Sequence, residues 1–210
     1  MIRSFRDKDL EKFWLSKGTI HLKCVPPDLR QATYRKLREL DRAKDTRDLR
    51  KTPSNHFEKL TGKHIFGYCS ICVNEQYRLI FLWQNNNAYE VKINKHNKSI
   101  NMKNKVLSET KQEQEAIIIH PGEVLREDFL LPLKLTPEKL AENIKVSSKV
   151  IKELISEKRD LDKDLATRLA LYFDMSTEFW LGIQHDYEQD CIENLRINLS
   201  KEITPLRVSK

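Results

Sequence analysis

The chain has 210 residues, 39% of them hydrophobic and 33% charged, with a net charge of +7. That length holds one large domain or two small ones. It contains no apolar run of about 18 residues for a membrane span, and Met1 to Asp7 passes into charged sequence with no apolar signal core, as in a cytoplasmic protein. The charge is unevenly spread. Residues 1–98 carry 21 Lys and Arg against 11 Asp and Glu, and residues 117–210 carry 14 against 17. A basic half suited to a polyanion therefore precedes an acidic half that attracts it.

In chain order, Ile2 to Phe5 can form a short first strand. From Lys8 the spacing of Leu10, Phe13 and Trp14 is helical, and Gly18 ends the run. Pro26-Pro27 opens a second helix with Leu29, Thr33, Leu37 and Leu40 on one stripe and Arg30, Arg35, Lys36 and Arg38 directed away from it. Lys44 to His56 reads as a polar stretch. The period then changes to that of strands over Phe66–Val73, Tyr77–Trp83 and Ala88–Ile93, separated by the turns Asn74-Glu75-Gln76 and Asn85-Asn86-Asn87. Two helices followed by an antiparallel meander make an α+β domain over residues 1–98.

Cys69 and Cys72 fall within one of these strands. Residues three apart on a strand point to opposite faces and cannot share a metal, so free thiols are expected, with no metal or cofactor. Residues 99–116 are poor in apolar side chains and read as a linker, protease-sensitive over Lys98–Glu115. From 117 to 210 the pattern is all-α. Glu123–Leu131 follows His120-Pro121-Gly122, and further helices are capped by Thr136, Ser147, Asp162 or Asp164, and Ser176.

The segment from Thr136 to Ile155 carries a helix-turn-helix pattern. Leu140, Ala141 and Ile144 form the apolar face of its first helix, and Val146 lies at the turn. Val150, Ile151 and Leu154 form the buried face of its second helix. The opposite face presents Ser148, Lys149 and Lys152, with Ser147 at the start and Lys158-Arg159 beyond the end. Such a helix uses its first side chains on base edges while flanking cations hold phosphates. Lys145 stands where the turn usually has glycine and must take a left-handed conformation.

Three separated stretches, Ile119–Phe129, Leu165–Phe173 and Ser176–Leu181, resemble the HigA antitoxin family. The resemblance implies a Cro/repressor-like domain that is dimeric, binds operator DNA and represses its own operon. Ser147, Ser148, Lys149 and Lys152 would then read DNA, and Lys158 and Arg159 would clamp its backbone.

Residues 1–98 resemble the HigB toxins of the RelE/ParE superfamily through Met1–Phe5, Asn55 with Leu60-Thr61-Gly62, Ser70–Phe81 and Ala88–Val91. The resemblance implies a RelE-like, ribosome-dependent mRNA endonuclease. In such an enzyme the message's own 2′-hydroxyl attacks the adjacent phosphate, so the protein moves two protons and stabilises a phosphorane. Arg78 matches the family's phosphate-holding arginine. Lys59, Lys63 and Lys95 add positive potential, the first two toward RNA and Lys95 within the catalytic set. Other positions depart from the family: Glu58 stands for a common histidine, Thr61 for a frequent lysine, and Lys95-His96-Asn97 replaces the acidic-tyrosine-histidine ending. Glu58 as base and His96 as acid still complete a workable set with Arg78.

The expected whole is a toxin–antitoxin fusion whose neutralising contact lies within one chain or between chains. The alternatives are a DNA-binding regulator with a catalytically degenerate toxin domain, or a gyrase-directed toxin of the ParE branch.

Overall fold

The computed structural model describes residues 1–61, 67–95 and 115–204. Lys63, His96 and linker residues 99–114 lie outside the described residues.

Helix α1 (Lys8–Leu15) starts at Asp7, whose carboxylate accepts from the amides of Asp9 and Leu10 at 3.0 and 3.2 Å, and it buries Leu10 and Phe13. Gly18, at φ +78°, closes the turn beyond it with the side chain of Ile117 directly over its Cα. A 3-10 turn at Pro27–Leu29 leads into α2 (Arg30–Arg42). The stretch read as merely polar contains a further helix, α3 (Thr46–Lys51), capped by Asp45 and anchored by the fully buried Leu49. One apolar residue in six gives no readable period, which is why the sequence conceals this helix. A 3-10 turn at Pro53–Asn55 follows.

Strands β1 (Glu58–Lys59), β2 (Tyr68–Cys72), β3 (Tyr77–Gln84) and β4 (Asn87–Lys95) form an antiparallel sheet in that order. Asn85 and Asn86 make the two-residue turn between β3 and β4 with φ of +49° and +57°, a conformation asparagine tolerates. Ile2 and Phe5 make isolated parallel bridges to Ala88 and Val91, so the N-terminal segment runs beside β4 without forming a continuous strand.

The second half is helical throughout its described residues. Helix α4 (Pro121–Val124) widens into a π-helix over Leu125–Leu130 and continues as α5 (Leu131–Leu133). Pro132, which has no amide to donate back along the helix, lies two residues beyond the end of the widened turn. Helices α6 (Pro137–Ile144), α7 (Ser148–Ile155), α8 (Lys163–Phe173) and α9 (Thr177–Leu199) carry the expected caps Thr136, Ser147, Asp162 and Ser176. Among the described residues no helix is long and apolar enough to cross a membrane.

One hydrophobic cluster runs through both halves, and around it the halves are joined by ion pairs. Arg35 bonds Glu123 at 2.7 Å and Asp128 at 2.6 Å, and Lys36 bonds Asp128 at 2.6 Å. Arg38 reaches Asp186 and Asp190 at 3.2 and 2.5 Å, and Arg42 takes Asp186. Lys17 pairs with Asp190, Lys44 with Glu178 and Lys51 with Asp174. Among the described residues, every cation in these cross-half pairs belongs to the first half and every carboxylate to the second.

Arg35, Lys36 and Arg38, expected to lie off the apolar stripe of α2, meet the second half there. Lys36 is 1% exposed and Arg35 9%, because the second half supplies the carboxylates that make burial of a cation tolerable. The expected boundary at residue 117 also falls within packed structure. The Ile117 amide bonds the Lys17 carbonyl at 2.8 Å, and Arg30 bonds the Glu115 carbonyl.

At the centre Lys36 also contacts Glu39, Ser54 and Asn55. Burial, together with the neighbouring Asp128, pushes the Glu39 carboxyl up to about 8, while Lys36 and Arg35 hold the Asp128 carboxyl well below its ordinary value against the cost of burial. Glu39 therefore keeps its proton and Asp128 stays ionised. Arg35 and Lys36 then balance Asp128 and Glu123.

Two predictions follow from this packing. An acid whose folded pKa is raised binds more protons folded than unfolded between its ordinary value and about 8, so its contribution to stability falls as pH rises through that window. Denaturant unfolding should show stability declining from pH 5 to 8, by at most about 1.4 kcal/mol per pH unit, the limit for one proton. Glu39→Gln should flatten the decline. Separately, a Cβ on Gly122 would meet the Leu154 carbonyl oxygen at 1.8 Å. Gly122→Ala should therefore force α4 off α7 and cost about 1–3 kcal/mol in the same measurement.

Candidate nucleic-acid sites

Alternation along β2 and β3 places Cys69, Ile71, Leu79 and Phe81 in the core and turns Ser70, Cys72 and Arg78 to the other face of the sheet. Arg78 lies opposite Cys72 across the tight β2–β3 connection. Its guanidinium is held on three sides: Nε donates to Ser70 Oγ at 3.0 Å, Nη1 to Cys72 Sγ at 3.0 Å and Nη2 to the His56 carbonyl at 2.7 Å. The Glu58 carboxylate lies 3.4 Å from Nη2. Arginine has five N–H donors, so two remain for an anion or for Glu58. The side chain is 13% exposed, which fixes its direction while leaving an edge open.

The structure thus brings Glu58 to Arg78, through the pairing of β1 with β2. Lys59, the next residue along β1, pairs in register with Cys69 and takes the opposite side of the sheet. Lys95 sits in register with Tyr77 and is likewise on the face opposite Arg78, which has Asn94 as its β4 neighbour. The sequence reading missed the Ser70 hydroxyl, the Cys72 sulfur and the His56 carbonyl as the groups that orient Arg78. Counting outward from the Asn74-Glu75-Gln76 turn pairs Cys72 with Arg78 and could have found that partner. The His56 carbonyl depends on a left-handed backbone at φ +39° that no local pattern announces.

In the second half α6 and α7 form the expected helix-turn-helix. Lys145 takes the left-handed conformation at φ +59° and ψ +48°, and the Val146 amide bonds back to the Ala141 carbonyl at 3.0 Å. Ile151 and Leu154 are buried, and Ala141, at 2% exposed, leaves room for the crossing helix. Ser147 Oγ accepts from the Lys149 amide as the cap of α7, and Ser148 is half-buried one residue on. Lys149 and Lys152 are exposed and already face carboxylates: Lys149 lies 3.7 Å from Glu153, and Lys152 bonds Glu138 of α6 at 2.7 Å. Arg159 is held by Asp162 at 3.2 Å, and Lys158 is exposed. Lys152 holds the Glu138 carboxyl below its ordinary value.

The chain's relatives divide along the same line as its charges. The family described as the RelE-like toxin of the type II toxin–antitoxin system HigB matches residues 3–96. Toxin HigB-1 of Vibrio cholerae serotype O1 is 42% identical over 96 residues, covering 46% of this chain and 98% of that one. Antitoxin HigA-1 of the same strain is 34% identical over 88 residues, covering 42% of this chain and 83% of that one. A solved structure of the Pseudomonas aeruginosa antitoxin HigA with the higBA promoter is 37% identical, covers 42% of this chain and 98% of that one, and aligns with a TM-score of 0.38. The chain belongs to the HigB toxin family through its first half and to the HigA antitoxin family through its second, in one polypeptide.

Proposed function

We propose that this chain is a self-contained toxin–antitoxin unit. Its first half is a latent ribosome-dependent mRNA endonuclease, and its second half holds that activity in check. The second half also binds operator DNA as a dimer through α6 and α7 and represses transcription. The observation that carries this reading is the interface. A toxin-family half and an antitoxin-family half are locked together by ion pairs that all run in one direction.

In the proposed reaction the message's 2′-hydroxyl attacks the adjacent phosphorus. Arg78, pre-aimed by Ser70, Cys72 and the His56 carbonyl, holds the phosphate and stabilises the charge that grows on its oxygens. Glu58, exposed and beside Arg78, takes the hydroxyl proton. An acid then protonates the departing 5′-oxygen, a role assigned to His96. Lys59, Lys63 and Lys95 add to the basic charge of this half, Lys59 and Lys95 from the sheet face opposite Arg78.

A second reading, a DNA-binding regulator with a degenerate toxin half, is supported by the same arginine. Three of its five donors are engaged within the first half, as in a brace between β2, β3 and the turn before β1.

Residues 1–98 span almost the whole of a free-standing toxin relative, so that segment is the one to express alone. It should slow growth and cut translated messages, and Arg78→Ala should abolish both. A folded wild-type fragment with neither effect would favour the regulator, and toxicity without message cleavage would point to gyrase. For the second half, Lys152→Ala should weaken operator binding several-fold in a mobility-shift titration. Unchanged binding would remove α7 from the DNA interface.

A further inference from the structure

The cations of α2 form one stripe. Arg35, Arg38 and Arg42 are spaced three and four residues apart and so share a helix face. Of these, Arg38 and Arg42 pair with Asp190 and Asp186 on α9, which lie about 6 Å apart along its axis, while Arg35 pairs with Glu123 and Asp128; Glu193, one turn beyond Asp190, takes Lys17. Two carboxylates of α9 thus lie along two guanidiniums of α2, and Lys17 extends the contact to Glu193. Arg38 also lies against a touching pair of aromatic rings, its guanidinium carbon 5.3 Å from the centre of Trp14 and 5.2 Å from that of Tyr34, with the two ring centres 5.4 Å apart.

Two halves that never part would be held more cheaply by apolar side chains, since burying charge incurs desolvation that pairing barely offsets. A surface that must be wetted when its cover leaves has reason to keep its charges. Resting on the reading of the first half as an RNA-directed toxin, we propose that the α2 face is a docking surface for the phosphate backbone of single-stranded RNA. The carboxylates of α9 occupy it as phosphate mimics. Forked guanidinium donors match phosphate oxygens, and single-strand sites combine a row of such cations along the backbone with neighbouring aromatic side chains. Neutralisation is then competition for one surface: whatever the α9 carboxylates hold, RNA cannot.

The test uses the full chain carrying Asp186→Asn and Asp190→Asn. Hydrogen exchange of α9 amides reports its release, and anisotropy of a labelled single-stranded RNA of about 20 nucleotides reports binding. The double variant should bind about tenfold or more tightly than the unaltered chain at low salt, with a steep loss as salt is raised. Adding Arg38→Gln and Arg42→Gln should remove the gain. Release of α9 with no gain in RNA binding overturns the proposal. So does a gain that survives loss of both arginines, because the RNA then sits elsewhere. If α9 stays docked, Asp186→Lys with Asp190→Lys sets like charges together, and the same outcomes decide. Cleavage of translated messages is scored in parallel for the same variants with ribosomes present. Binding through α2 without cleavage removes the nuclease reading and leaves this one standing; cleavage without α2 binding does the reverse.

Discussion

The buried contact of Lys36 with Asp128 is the point on which the two halves depend. Lys36 comes from the middle of α2 and Asp128 from the widened π-helical turn, and both are almost wholly withdrawn from solvent. Neither charge could stay there alone. The remaining groups of the cluster, Arg35, Glu39, Glu123, Ser54 and Asn55, bring hydrogen bonds to the capacity that the pair leaves open. A protonated Glu39 keeps the sum of charge at zero. Removing one member would strand another, so the cluster fixes the register in which the second half docks.

From this centre the contact spreads along two lines. One runs down α2 onto α9, through Arg38 and Arg42 to Asp186 and Asp190. The other passes through α3, where Asp48 accepts both the amide and the hydroxyl of Ser176 at 2.8 and 2.6 Å and so holds the first turn of α9. Ser176 caps α9 with its own oxygen at the same time. A side chain from the toxin half therefore completes the start of the antitoxin half's longest helix, and the stability of each half is bound up with the other's.

The candidate catalytic face stands apart from this contact yet touches it at one place. Arg78 is on the sheet face turned away from the core, and all its hydrogen-bond partners belong to the first half. The His56 carbonyl that receives it directly follows the Pro53–Asn55 turn. That turn's Ser54 donates to Asp128 at 2.6 Å, and its Asn55 accepts from Lys36. The docking cluster and the arginine are thus separated by a single residue of backbone. The second half reaches the site through its support and leaves the face itself uncovered by the contacts described.

Sequence by itself determined the parts whose causes are local. Caps at Thr136, Ser147, Asp162 and Ser176, the strand period, the paired asparagines of the hairpin and the left-handed Lys145 all follow from a residue and its near neighbours. They were legible for that reason, as was the division into a basic and an acidic half. The family resemblance singled out Arg78 and Glu58, and the register of β1 with β2 brought them together. What the sequence could not show was the fate of Arg35, Lys36 and Arg38. On a helix wheel they lie off the apolar stripe and look solvated. Their partners are some 90 to 150 residues away, and only the docking of α2 against the π-helical turn and α9 turns an apparent surface into a buried ionic interface. Lys59 and Lys95 were separated from Arg78 by the same kind of cause, since the side of a sheet on which a residue falls depends on pairing register. Local propensity writes the elements, and long-range electrostatics and register decide which of their faces meet.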